Sequence, residues 1–395
     1  MSEGPLSGVR VLDLTNVLAG PYCSYQLMLL GAEVVKVEVP GQGDLARQLG
    51  PDPDLNRRGL GASFLAQNAG KRSVEINLKD DAGRDRFEGL VADADVLLEN
   101  FRAGVMDRLG YGWERLRETN PRLVYCAISG FGQTGPMSGA PAYDQIIQGL
   151  SGMMSVTGTA ETAPLRVGFP VCDTIGGLVA ALHIAAAVAG RSRTGEGTFL
   201  DVSMLESAVS AMGWAVSNYL VCGVEPRPMG TQNATSAPSG TFNAADGHLN
   251  IAANRQQQFE ALCAVVGRLD LLTDPRFTDR EQRKAHRDEL NRELDRALGA
   301  KSAGEWEDLL NAAGVPAARI TTVPQMVGLD QLRHRGFFTD LPFPDGSDRT
   351  LRVTGTGVLH DGEPLRPATP PPLLGEQNHE HWNAALVRDA RPEAT

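Results

Sequence analysis

Along the first half of the chain, short β-branched and apolar runs alternate with stretches whose apolar positions recur every three or four residues. "GVRVLDLT" reads as a strand, "YCSYQLMLLG" as a buried helix and "EVVKVEV" as a second strand. The rhythm continues through the strand "SVEINL", the helix "AGRDRFEGLVADA", the strand "DVLLENF", one helix over "GVMDRLGYGWERLRETN" and the strand "RLVYCAIS". Such alternation predicts an α/β fold, a Rossmann-like parallel sheet with helices on both faces. "YDQIIQGLSGMMSVTG" and "GGLVAALHIAAAVAG" then read as buried helices, before a strand "GTFLDVSM" and an apolar helix to about Leu220. The pattern changes at the Pro-, Gly- and Ser-rich stretch from Gly223 to Gly240, which marks a boundary or a functional loop. Beyond it a hairpin "GTFNAADGHLNIAA", a helix "RQQQFEALCAVVG" and the charged amphipathic run "DREQRKAHRDELNRELDRALG" predict a smaller α+β domain. The predicted domains are 1–222, 223–325 and a return segment 326–395 that ends in a proline-rich, extended tail.

Composition narrows the function. A chain of 395 residues, 42% hydrophobic and 22% charged, has the makings of large buried cores in more than one domain. A net charge of -11 argues against nucleic acid and anionic membranes as partners. The five cysteines show neither CxxC nor paired spacing, which suggests no zinc site, no disulfide framework and a reducing compartment. No export signal is read at the amino terminus, and the apolar runs break before the roughly 20 residues of a bilayer span. A cytoplasmic location is the expectation.

One carboxylate stands out. Asp173 interrupts the apolar stretch "LRVGFPVCDTIGGLVAALHIAAAVAG" just before Gly176 and Gly177. Asp followed by Thr and an apolar periodic run is the pattern of a helix N-cap, whereas a carboxylate held in a dry, backbone-rich pocket can serve as nucleophile or base. Elsewhere, Gly41, Gly43 and Ala46 match a dinucleotide fingerprint superficially, but Pro40 breaks the strand-to-turn passage and no convincing crossover helix follows. Lys71 and Arg72 sit in a glycine-containing turn that could clamp phosphate or merely face water, as could Arg47 and Arg108. The glycine-rich loop with Gly130, Gly132 and Gly135 follows a parallel strand, where open α/β sheets place ligands. His183 reads as a core histidine, His379 and His381 as solvated tail residues rather than metal ligands, and no G-x-S-x-G elbow occurs.

Read together, "LDLTNVLAGP", "LGAEVVKVEVPGQGD", "NAGKRSVEINLK", "LLENFRAGVMDRLG", "YCAISGFGQTGP", the aspartate of "PVCDTIGG", "TGEGTFLDVSMLES", "APSGTF" and "PPPLLGEQ" resemble the class III CoA-transferase family, which includes formyl-CoA transferase and the carnitine CoA-transferase. The motifs span nearly the whole chain in the family's order. The resemblance implies a sheet built from both ends of the chain, a smaller intervening domain and an interlocked homodimer of ring-like monomers. It implies coenzyme A or acyl-CoA and small carboxylic acids as substrates, with no permanently bound cofactor and no metal.

By motif, the catalytic aspartate falls on Asp173, and CoA contacts fall on Val17, Leu18, Lys71, Asn100, Phe101 and Arg108, with Arg72 beside them. Leu18 and Val39 stand where formyl-CoA transferase has a glutamine and an adenine-stacking arginine, and the segment from Gly230 to Ser236 occupies the position of its glycine lid. The implied mechanism runs through an aspartyl anhydride and an aspartyl-CoA thioester on Asp173, with donors from the Gly130–Gly135 loop and the helix start holding charge. Succinyl-CoA is the expected donor and a small dicarboxylate the expected acceptor. Two alternatives remain. In α-methylacyl-CoA racemases of the same superfamily a histidine stands where this chain has Tyr143, next to Asp144, and a phenol of ordinary pKa about 10 suits proton exchange poorly. The other alternative is a nicotinamide-dependent oxidoreductase.

Overall fold

A computed structural model of the chain describes residues 4–379. The end of the predicted tail, with His381, lies outside the described residues. Six strands, β1 (Arg10–Asp13), β2 (Glu33–Glu38), β3 (Arg72–Glu75), β4 (Val96–Glu99), β5 (Val124–Ser129) and β6 (Thr198–Ser203), form one sheet in the order β3-β2-β1-β4-β5-β6. Every pairing is parallel. Strand side chains alternate between two apolar layers, as the period of two requires. Val11, Val34, Val96 and Leu98 join Leu27, Ala180 and Ile184 on one face. Leu12, Val35, Val74 and Leu97 join Phe87, Val91 and Leu116 on the other.

All six strands come from the first 203 residues, so the sheet is not built from both ends of the chain. The return segment contributes instead an antiparallel pair, Phe338–Pro342 with Thr350–Thr354, whose Leu341 and Val353 enter the first apolar layer. It then covers the free edge of β3. The Ser73 N–H donates to Gln377 Oε1 at 2.7 Å, the Gln377 N–H to the Ser73 carbonyl at 3.0 Å, and the Glu75 N–H to Asn378 Oδ1 at 2.7 Å. These bonds satisfy an edge that would otherwise pair with another chain.

Two compact units emerge. One comprises the residues up to Met153, Arg166–Val224 and the chain from Asp330; the other comprises Met154–Leu165 and Glu225–Leu329. The second unit thus includes a short stretch that the sequence reading left in the large domain. It contains an antiparallel sheet of β7 (Ser239–Asn243), β8 (His248–Ala252) and β9 (Ala317–Arg319). Phe242, Leu249 and Ile251 from one face of that sheet pack on Phe259, Leu262, Leu290, Leu294 and Trp306.

The 24-residue helix Val171–Thr194 is longer than the broken apolar pattern suggested, and it is long and apolar enough to cross a membrane by length and composition alone. Cys172, Ala180, Ala181 and Ile184 nevertheless pack in the sheet's apolar layer, while Leu178, Leu182 and His183 on the same helix are exposed, so His183 is not the core histidine the sequence suggested. Gly176 and Gly177 serve that packing. A Cβ on Gly177 would lie 2.5 Å from the Ala19 carbonyl oxygen, and one on Gly176 would lie 3.1 Å from Met204 Cγ. The helix therefore meets helix Ala19–Leu29 at a distance only glycine allows.

Strand order reverses between β1 and β4, and in open α/β sheets ligands are held at such a point, at the carboxyl ends of the strands. On and around β1 and β2 lies a chain of buried charges: Asp13, Lys36, Glu38, Asp44, Arg47 and Lys71. Lys36 Nζ pairs with Asp44 Oδ2 at 2.9 Å and donates to the Thr15 carbonyl at 2.7 Å. Lys71 Nζ reaches Asp13 Oδ2 at 3.1 Å, Ser24 Oγ at 2.8 Å and the Pro21 carbonyl at 2.9 Å. Arg47 grips Glu38 through Nε and Nη2, both at 2.7 Å. Burial works against an ionised Asp13, but Lys36 and Lys71, with hydrogen bonds from Ser24 and Thr15, outweigh it and hold the carboxyl below the ordinary range.

Glu99, at the end of β4, has the opposite fate. Burial pushes its carboxyl up to about 8, although it accepts the Phe101 N–H at 2.7 Å and the Tyr125 hydroxyl at 3.3 Å. Two predictions follow from these neighbours. Lys36→Met leaves Asp13 and Asp44 with an uncompensated buried charge and should lower stability by about 3–5 kcal/mol, read as a fall in the urea midpoint. Glu99 keeps its proton in the folded state while the unfolded chain loses it near the ordinary value of 4.5, so its contribution to stability falls as pH rises from there to about 8. The melting-temperature advantage of Glu99→Gln over the parent should therefore grow between pH 5 and pH 8 and stay level above.

Candidate active site

The loops at the reversal point are tied together by side-chain amides. The Asn16 N–H donates to Asn100 Oδ1 and Asn100 Nδ2 donates to the Asn16 carbonyl, both at 2.8 Å. Asn16 Oδ1 accepts the Leu45 N–H at 2.9 Å. Val17 adopts a positive φ of 68°, a conformation that β-branched residues avoid, and its N–H is held by Asp44 Oδ1 at 2.9 Å. Leu18 is the N-cap of helix Ala19–Leu29, and no side chain caps that helix start. An uncapped helix start of this kind can receive an anion. The structure thus brings together Val17, Leu18, Asn100 and Phe101, with Arg108 exposed on the short helix Val105–Leu109 that follows.

Asp173 is not the N-cap of its helix. The helix begins at Val171 with Pro170 in the cap position, so Asp173 is its third residue. Proline carries no N–H and its ring offers no oxygen to cap with. The capping acceptor comes instead from Asp144, the first residue of helix Asp144–Leu150. Asp144 Oδ1 accepts the Cys172 N–H at 2.8 Å and the Asp173 N–H at 3.4 Å. Its Oδ2 accepts Gln148 Nε2 at 2.7 Å. The helix N–H groups expected to stabilise Asp173 are thus spent on Asp144.

What remains for Asp173 is burial and a neighbouring negative charge. Among the described residues its carboxylate has no hydrogen-bond donor, and its pKa rises to about 7, first through burial and then through Asp144. Asp173 stands one turn before Gly177 on the same helix face, the face that meets Ala19 and Tyr22. It therefore lies one helical turn from the contact between Gly177 and Ala19, the first residue of helix Ala19–Leu29. A half-buried carboxylate without hydrogen-bond donors and with a pKa near 7 can attack an electrophilic carbonyl or exchange a proton near neutral pH.

The other expected residues divide. The Lys71 ammonium is fully buried among Asp13, Ser24 and Pro21 and has no free face for a phosphate; burial pulls its pKa down to about 8, against the pull of Asp13. Arg72 opens β3 near the amino ends of the strands, pairing with Glu33 at 3.4 Å, away from their carboxyl ends. Val39 is exposed just beyond β2. In the glycine loop the Gln133 N–H is committed to Asp201, Gly132 and Gly135 take positive φ, and Gly130 packs within 2.3 Å, measured from a built Cβ, of Ala142. That contact seats the segment leading to Tyr143 and Asp144. Tyr143 itself is 70% exposed. Gly230 belongs to the second unit, where its N–H meets the Gly158 carbonyl at 2.6 Å.

Sequence reasoning passed over Asn16, Asp44, Gln148 and Arg166. Asp44 closes the "GQGD" turn and Gln148 follows Asp144 at helical spacing, so a pairing of Gln148 with Asp144 could have been read from the i, i+4 rule. Gly41 and Gly43 follow β2, not β1, and lead into the four-residue 3-10 helix Leu45–Gln48, so they lack the strand-turn-helix setting of a dinucleotide fingerprint.

The chain is similar to known proteins along nearly its whole length. The profile of CoA-transferase family III matches residues 6–378. An acetyl-CoA:oxalate CoA-transferase of Acetobacter aceti is 38% identical, the match covering 99% of this chain and 97% of the relative. A succinyl-CoA:glutarate CoA-transferase of Mus musculus is 36% identical over 98% of this chain and 88% of the relative. The crystal structure of a CAIB/BAIF family protein from Brucella suis superposes with a TM-score of 0.84 at 33% identity, covering 98% of this chain and all of that one. With a parallel sheet whose strand order reverses between β1 and β4 and a match along nearly its whole length, the chain belongs to CoA-transferase family III and is an acyl-CoA-dependent CoA-transferase.

Proposed function

We propose that the protein moves CoA from an acyl-CoA donor to a small dicarboxylic acid, with Asp173 as the covalent nucleophile. One observation carries the reading: among the described residues the Asp173 carboxylate has no hydrogen-bond donor, and its pKa is raised to about 7. Such a carboxylate is more basic than an ordinary one and poorly solvated, which strengthens it as a nucleophile once ionised. Relatives named for oxalate, glutarate and mesaconate, with acetyl-CoA or succinyl-CoA as donor, support a dicarboxylate acceptor.

In the proposed cycle the Asp173 carboxylate attacks the thioester carbonyl, and CoA thiolate leaves as the mixed anhydride forms. The thiolate attacks the aspartyl carbonyl and frees the donor acid. The acceptor carboxylate then attacks the aspartyl-CoA thioester, and the returning thiolate resolves the second anhydride into new acyl-CoA and free Asp173. Every bond broken is matched by one formed, so the thioester is conserved without another energy source. Helix Ala19–Leu29 and the Asn16–Asn100 clasp support a CoA site at the reversal point, with Val17, Leu18, Asn100, Phe101 and Arg108 as its proposed contacts. In that site Lys71 acts by holding Asp13 and the Pro21 carbonyl in place.

An interlocked homodimer belongs to the same proposal. Helix Trp214–Cys222 has no buried residue, and Trp214, Leu220 and Val221 are each more than 70% exposed. Leu182 on the long helix is 67% exposed. An apolar display of that kind on a single chain suits a surface covered by a partner.

Asp173→Ala should reduce transfer by about a thousandfold or more while the protein remains folded, as measured by exchange of labelled CoA between an acyl-CoA and a free acid. Treatment with acyl-CoA followed by hydroxylamine should modify the Asp173 peptide in mass spectrometry. Modification on Asp144 instead would reverse the assignment.

A further inference from the structure

Arg166 stands at the outer oxygen of the Asp144 carboxylate without being needed there. Asp144 Oδ1 already accepts two helix N–H groups, and Oδ2 already accepts Gln148 Nε2 at 2.7 Å. The Arg166 guanidinium lies 3.6 Å from Oδ2, too far for a good hydrogen bond, and its side chain is 44% exposed. No hydrogen bond from its five N–H donors is found among the described residues. Nor does it lower the pKa of Asp173, which responds to burial and to Asp144 alone.

The position of this cation is fixed all the same. The N–H of the next residue, Val167, donates to Gln148 Oε1 at 2.9 Å, and Gln148 is fully buried. One amide side chain thereby holds both Asp144 and the backbone that carries Arg166. From the Asp173 main chain to the guanidinium the path is one hydrogen bond, the width of the Asp144 carboxylate and one ion-pair distance. A short diacid whose first carboxylate approaches Asp173 meets two negative charges, and its second carboxylate requires a cation within a few ångströms. Arginine is suited to that task, because its planar fork binds a carboxylate through two parallel N–H groups.

We propose that Arg166 receives the second carboxylate of the acceptor and so determines preference for dicarboxylic over monocarboxylic acids. The proposal rests on the transferase reading for the identity of the site. A role confined to neutralising Asp144 predicts equal effects on both classes of acid.

The test uses the full-length enzyme with acetyl-CoA as donor, so that the donor carries no second carboxylate. Parent, Arg166→Gln and Arg166→Lys are compared with glutarate and with valerate as acceptors. For glutarate, Arg166→Gln should lower kcat/KM by about 10- to 100-fold, at least tenfold more than for valerate, with partial recovery in Arg166→Lys. An equal fall for both acids, or none, overturns the proposal. Calorimetric binding of glutarate in the presence of CoA repeats the comparison without turnover. Tighter binding by the parent than by Arg166→Gln supports the assignment even if no transfer is seen, and in that case only the transferase reading fails. Equal binding by the two overturns the assignment even where transfer proceeds normally.

Discussion

The carboxylate of Asp144 on the amino end of helix Val171–Thr194 is the interaction on which the site depends. A helix start presents unpaired N–H groups and a partial positive charge, and it stabilises whichever anion reaches it first. Here that anion is Asp144, delivered from a separate helix and locked by Gln148. Pro170 cannot compete for the role, and Asp173, two residues inside the helix, is left with a negative neighbour. Capping and chemistry are divided between two carboxylates: one satisfied and structural, the other unsatisfied and basic.

The buried charges around β1 and β2 solve a related problem. Val17 must hold a backbone conformation that its side chain disfavours, and Asp44 restrains it through the N–H. Asp44 is held by Lys36, Lys36 faces Asp13, and Asp13 is held by Lys71. Each charge in the sequence of contacts is paired, so desolvation is compensated locally and the loop inherits the rigidity of the sheet. Close packing of Gly177 on Ala19 then ties the helix that carries Asp173 to the end of the same loop.

Much of this was legible in the sequence. Alternating runs such as "EVVKVEV" and "DVLLENF" gave the parallel sheet because strands buried on both faces are nearly continuously apolar. Boundaries were harder where glycine or histidine interrupts a helical pattern. The predicted helix through "GVMDRLGYGWERLRETN" breaks at Gly110, in the left-handed region, into Val105–Leu109 and Trp113–Thr119. The charged run near Arg287 breaks at His286, and the apolar helix after β6 breaks at Gly213. Asp173 could be singled out as a lone acid in an apolar stretch, but its capping partner lies 29 residues away and follows from tertiary packing. Lys71 misled for the same reason: a lysine in a glycine turn looks exposed until Asp13, Ser24 and Pro21 are seen to surround it.

The central claim is that Asp144, by occupying the helix start, keeps Asp173 basic. The pH dependence of kcat/KM for the acyl-CoA donor tests it most directly, because that quantity follows ionisation of the free enzyme. In the parent enzyme kcat/KM should rise with pH and level off above about 7, as Asp173 loses its proton. In Asp144→Asn, where the like charge is gone but an oxygen remains to accept the Cys172 N–H, the rise should move to lower pH. A rise in the parent at ordinary carboxylate pH, or one that Asp144→Asn leaves in place, would contradict the account.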